Sequence, residues 1–155
     1  MYWKGQIEGL HVVPRSFLPM RNVDSLKLIA GGGIVGDRHT TGDAFHSDRP
    51  EEGRQITFFE AETLEALLRD HNITLTPKQH RRNVTTRGVP LNHLVGRRFR
   101  VGETLVEGMR LSTPCRHIEQ ITGLSIFEAL IHRAGLNARI LTGGSIFLND
   151  PIEPE

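Results

Sequence analysis

The sequence has almost no cysteine: one among 155 residues. An internal disulfide is therefore impossible, and nothing points to an oxidising compartment. There is no apolar run long enough for a signal peptide or a spanning helix, and the opening "MYWKGQIEGLHVVPRSF" contains nothing of the kind. Nor is there an excess of one charge. Nineteen Lys and Arg against eighteen Asp and Glu leave +1, which argues against a general nucleic-acid binder. Repeats, low-complexity tracts and a dividing linker are missing too. A single cytoplasmic domain over residues 1–155 is expected, large enough to bury a core, with no membrane or nucleic-acid partner.

What is present is unevenly distributed. From Lys78 to Arg100, "KQHRRNVTTRGVPLNHLVGRRFR" carries seven Lys or Arg and no acid. Such a run is either a solvated face or an anion-binding surface of limited extent. Acids gather in "DRPEEGR", "FFEAETLEALLRD" and the tail "NDPIEPE".

Alternation in "KGQIEGLHVV" predicts a first strand, and "SLKLIAGGGIVGD" a second running into glycines. The segment from Asp37 to Arg54 is polar and rich in turn formers, a long loop of the kind that carries function. "RQITFF" predicts another strand. "EAETLEALLRDH" predicts a helix with Leu64, Leu67 and Leu68 on one face. "NVTTRG", "RRFRVG" and "TLVEGMRL" are short strands, with a corner at "PLNHLVG". "PCRHIEQITG" opens a helix, and "LSIFEALIHRAG" predicts another, with Leu124, Phe127, Leu130, Ile131 and Ala134 on one face. "ARILTGGSIFL" closes as a strand bent at its glycines. The elements do not alternate βαβ, so the expected fold is mainly β (α+β): a small, largely antiparallel β-barrel with two or three flanking helices. Exposed strand edges would allow a dimer.

The lone Cys115 lies in "LSTPCRH", after a proline and before Arg116 and His117. A helix start and basic neighbours lower a thiol pKa, while a buried structural cysteine is the plainer reading. A cysteine hydrolase would need a general base in reach, and His117 at i+2 does not face Cys115 on a helix. No CxxC or resolving cysteine exists for a redox pair. A thiol that holds a metal or a persulfide sulfur remains. In "HRRNVTT", strand periodicity would put Arg81, Asn83 and Thr85 on one face and Arg82 on the other, a strip suited to one phosphorylated cofactor. His39, Asp43 and His46 match no defensible metal spacing. "GGGIVGD" lacks the lysine-containing ending of a phosphate loop.

Taken in order, "GIVGDRH", "RQITFFE", "RRNVTTRGVPLNHLVGRRFRVGETLVEG", "TPC" and "ARILTGGSI" resemble the MOSC family, named for the C-terminal domain of molybdenum-cofactor sulfurase. The resemblance implies a β-barrel-type fold. It also implies that Cys115 carries sulfur as a persulfide or ligates molybdenum, and that Arg81 and Asn83 bind the phosphate end of molybdopterin. Asp37 and His39 fall on the family's loop motif, and Arg54 and Gln55 on its Arg-Gln pair. A separate cysteine desulfurase would supply sulfur, since the pyridoxal-phosphate domain fused to some members is not in this chain. Pyridoxal phosphate is associated with the family, but no lysine here has a Schiff-base context. Two rivals stand beside the sulfur-carrier reading. One is a molybdenum-cofactor-dependent reductase of N-hydroxylated compounds served by a redox partner protein. The other is a β-barrel module binding an anion or a partner, with an inert cysteine.

Overall fold

The computed structural model describes residues 2–15, 17–38, 54–114 and 116–155. Among these lie eleven strands: β1 (Gly5–Val12), β2 (Arg21–Val23), β3 (Ser25–Ile29), β4 (Gly33–Ile34), β5 (Ile56–Glu60), β6 (Val84–Arg87), β7 (Arg98–Val101), β8 (Thr104–Leu111), β9 (Leu136–Thr142), β10 (Gly144–Phe147) and β11 (Pro151–Pro154). Two α-helices, α1 (Ala61–His71) and α2 (Arg116–Thr122), flank them. No helix among the described residues is long and apolar enough to cross a membrane.

The mainly β architecture is the expected one. Seven strands follow one another in the order β11-β7-β8-β9-β5-β6-β1, and β1 pairs back onto β11 at Gly5↔Ile152, closing a barrel. Neighbours are antiparallel except β5 and β6, which run parallel through Phe58↔Val84 and Phe59↔Thr85. Parallel strands need a long crossover. Here α1 and the segment after it supply one. A three-stranded sheet, β10-β3-β4, packs beside the barrel.

Among the described residues, two apolar clusters hold most of the buried hydrophobic side chains. Ile7, Leu10, Ile56, Phe58, Val84, Phe99, Val106 and Ile140 belong to the barrel core. Phe59, Leu67, Ile118, Ile126 and Leu130 form a second cluster, joining α1 and α2 to the outside of β5. β5 is therefore buried on both faces, which is why "ITFF" reads as a continuous apolar run rather than an alternation. In α1, Leu67 is fully buried, Leu64 half-buried and Leu68 exposed, so the apolar face is narrower than its three leucines predict. Glu62 in the first turn and Arg69 and His71 in the last complement the helix dipole, and Asn72 ends it in the left-handed region at φ 54°.

The helix expected over "LSIFEALIHRAG" is not formed. Only a 3-10 turn at Glu128–Leu130 survives, and His132 turns left-handed at φ 66°. Tertiary contacts override the local preference. Ile126, Leu130 and Ala134 are all drawn into the second cluster, Glu119 accepts the Phe127 amide at 3.1 Å, and Asn92 donates to the His132 carbonyl at 2.6 Å. The bend in "ARILTGGSIFL" divides it between the two sheets, as β9 and β10. β2 and β11 have no counterpart in the sequence reading, and β11 comes from the acidic tail.

Gly108 shows how tightly the wall is built. A Cβ there would sit 2.1 Å from the Leu94 carbonyl oxygen, against backbone that cannot swing aside. Its carbonyl also accepts the Gly96 amide at 2.8 Å, and its amide donates to Arg97 at 3.0 Å. Gly108→Ala should therefore lower stability by at least about 2 kcal/mol, read as a shift in the urea midpoint. An unchanged midpoint would mean that the corner is looser than this geometry.

Candidate functional site

Arg81 is where sequence and structure part. A strand was expected to carry Arg81, Asn83 and Thr85 on one face, but β6 begins at Val84 and Arg81 lies ahead of it at φ 69°. The left-handed step is held from both sides. The Arg81 carbonyl accepts Arg38 Nη2 at 2.7 Å, and Arg81 Nη1 donates to the Leu18 carbonyl. Arg81 is 1% exposed, an unusual depth for a guanidinium. It lines a cavity of about 380 Å³ together with Phe17, Met20, Lys78, Gln79 and Thr122, so two cationic side chains face one hollow.

Asn83 does a different job from the one its spacing suggested. Its Oδ1 accepts the Thr57 amide at 3.1 Å and the Thr57 hydroxyl at 2.9 Å, while Nδ2 donates to the His11 carbonyl at 3.3 Å. The side chain thus joins β5, β6 and β1 inside the barrel wall. Thr85 is equally internal, its hydroxyl lying 2.7 Å from both His11 Nε2 and His80 Nε2.

These contacts set the tautomers. The Arg82 amide donates to His80 Nδ1 at 3.0 Å, so neutral His80 carries its proton on Nε2 and donates to Thr85. The Thr85 hydroxyl then donates to His11 Nε2, and His11 Nδ1 donates to Asn22 Oδ1 at 2.8 Å. His80 is stacked on Phe59 at 4.4 Å and wholly buried. Burial, then the charges of His11 and Arg82, push it well below the usual histidine range. His11 is lowered as well, chiefly by burial.

The remaining expected residues divide. Asp37 is buried, its Oδ1 accepting the Val13 amide and facing Arg38 Nη1, each at 3.4 Å. Arg82 is half-buried and donates through Nε to the Ala134 carbonyl at 3.1 Å. Arg54 lies half-buried just ahead of β5, and Gln55 accepts the Ile140 amide at 2.8 Å. Arg116 is engaged at the start of α2. It bonds Glu119 at 2.8 Å and lies over the Phe127 ring at 4.4 Å. His117 is buried edge-on to Phe17, with ring centroids 4.6 Å apart. Cys115 and His39 lie outside the described residues, as does most of the loop between Asp37 and Arg54. Among the described residues no three His, Cys, Asp or Glu are grouped to hold a metal ion.

Arg38, His11, His80 and Thr57 were not anticipated. The one available signal was His11 itself, a polar residue interrupting the apolar end of "GLHVV".

The MOSC domain family matches residues 36–153. Three solved structures share the fold. YuaD from Bacillus subtilis aligns with a TM-score of 0.81 at 19% identity, covering 97% of each chain. YiiM from Geobacillus stearothermophilus gives 0.76 at 15%, covering 97% of this chain and 75% of that one. YiiM from Escherichia coli gives 0.68 at 17%, covering 100% and 70%. No curated protein matches the sequence.

The buried histidines make a testable pair. Nitrogen-resolved spectra of the imidazoles at pH 6 should show both neutral, His80 as the Nε2–H tautomer and His11 as Nδ1–H. A titration midpoint near 6.5 in either would contradict the chain of bonds. The same shifts bear on stability. A histidine lowered in the folded state contributes stability above 6.5, lost as pH falls toward its folded value. Glu60 opposes this: its carboxyl, raised from 4.5 to about 7, adds stability as pH falls through that interval. In a Glu60→Gln protein the acid loss should therefore stand alone, at about 1 kcal/mol per pH unit per histidine. A flat denaturation profile from pH 6.5 downward would refute it.

Proposed function

The chain belongs to the MOSC family, and from that premise we propose that it handles sulfur or a molybdenum cofactor through Cys115, with Arg81 gripping the anionic end of the cofactor or donor. The observation that carries this reading is the cavity floored by the buried Arg81. It faces Lys78 and is walled by Thr122 of α2, the helix that begins directly after Cys115. A guanidinium held in place by Leu18 and by Arg38's grip on its own carbonyl loses little freedom when it binds phosphate.

The donor set fits the phosphate end of molybdopterin at Arg81 and Lys78. Asn83 contributes differently from the pattern that suggested it, by holding the strand that follows Arg81 against β5 and β1. A molybdenum cofactor bound here would supply a high-valent metal for which a thiolate is a suitable ligand. The chain's own part is to bind the anion, orient it and present the sulfur of Cys115.

In the carrier form, the Cys115 thiolate attacks the outer sulfur of a persulfide on a separate cysteine desulfurase. The donor's S–S bond breaks, its thiolate leaves, and a new S–S bond forms on Cys115. Electrons and atoms balance with no outside oxidant.

Incubation with a desulfurase and cysteine should add one sulfur atom to the intact mass of the protein, and Cys115→Ser should abolish the gain without altering the melting curve. Stoichiometric molybdenum in the purified protein would instead favour the cofactor-holding form and make a reductase of N-hydroxylated compounds the activity to assay. A protein that takes up neither, with a thiol alkylated only after unfolding, would overturn both.

A further inference from the structure

The barrel has a second hollow at its other end. Because β5 and β6 are parallel, Arg81 precedes one end of the pair, while Glu60 and Gly88 lie at the opposite end. A cleft of about 570 Å³ opens there, lined by Tyr2, Trp3, Glu60, Glu62, Val89 and His93 among others. That volume lies within the range of small-molecule sites.

Its charge is one-sided. Among the described residues two carboxylates line it and no Lys or Arg does. Arg87, next to it in sequence, is taken up by Glu8 and Glu65, each at 2.6 Å. Glu62 accepts the Gly88 amide through Oε2 at 2.8 Å, but its Oε1 is out of solvent and meets no donor among the described residues. A desolvated carboxylate oxygen left so is unfavourable until positive charge comes near. Glu60 accepts the Leu91 amide, yet its carboxyl is still short of positive charge. Burial first, and the charge of Glu62 second, hold its carboxyl up at about 7. The aromatic and apolar walls offer a surface for a hydrocarbon body, and ring faces attract cations. The carboxylates and His93 are not grouped closely enough for a metal ion.

We propose that this cleft binds a small organic ammonium ion, its charged head toward Glu60 and Glu62 and its apolar body against Trp3. It is independent of the Arg81 cavity, since its charge would repel the phosphate that Arg81 attracts.

Trp3 is the sole tryptophan and lines both this cleft and a neighbouring hollow bounded by Arg97 and Glu155, so its emission reads binding and the Glu60 and Glu62 variants assign it to this cleft. Titration of the full chain with phenethylammonium should give a saturable change in that emission. The neutral isostere 2-phenylethanol should give none at equal concentrations. Glu62→Gln, which keeps an oxygen for the Gly88 amide, should weaken ammonium binding about tenfold, with an unchanged melting curve showing that the fold is intact. An equal response to the neutral alcohol, wild-type affinity in both Glu62→Gln and Glu60→Gln, or no saturable change at all would each overturn the proposal. None of these outcomes depends on Cys115 or on sulfur transfer.

Discussion

The side chain of Asn83 is the joint on which the rest turns. One amide satisfies the backbone and hydroxyl of Thr57 on β5 and the His11 carbonyl on β1, from a position immediately ahead of β6. Without it, three strands would meet at the mouth of the barrel with buried polar groups unpaired, each a penalty of about 1–3 kcal/mol. Two residues ahead of that joint the chain turns left-handed at Arg81, where Arg38 and Leu18 hold it, and the guanidinium lines the cavity.

The same parallel pair gives the barrel two unlike ends. At one, Arg81 and Lys78 make a cationic hollow beside α2; at the other, Glu60 and Glu62 make an anionic one beside Trp3. The crossover through α1 begins in the second and finishes in the first. Between them runs the His80–Thr85–His11 line of hydrogen bonds, neutral and buried, which keeps the wall polar without adding charge to it.

Alternation made β7 and the start of β1 legible in the barrel, and β3 in the smaller sheet, because each buries one face there. β6 and β8, buried on both faces over most of their length, were legible from the glycine turns that bound them. β5 was legible for another reason: its apolar run is short and bounded. The helix over residues 124–135 was misread because its spacing truly fits a helix. The contacts that decide against it, from Glu119 and Asn92, come from other parts of the chain and leave no local mark. β11 escaped notice since two prolines and two acids, "PIEP" with its flanking glutamate, suit an exposed tail. It is a strand because β7 and β1 both offer it an edge. At the site, the residue type of Arg81 was readable and its backbone was not. Periodicity assumes a strand, whereas φ at this residue is set by Arg38 and Leu18, far away in sequence. Asn83 stood out in the sequence as a partner of Arg81 for a cofactor's phosphate, yet a sequence cannot tell an amide that grips a ligand from one that grips its neighbours.

The closing pair Gly5↔Ile152 has a kinetic side. Residues from opposite ends of the sequence must meet before the barrel is complete, and until they do β1 and β7 both present bare edges. Joining distant segments is slow, and open edges are where chains stick to one another. The four residues of β11 therefore act as a latch, pairing with both margins at once. Their removal would turn a closed wall into a sheet with two adhesive margins, a change out of proportion to so short a strand.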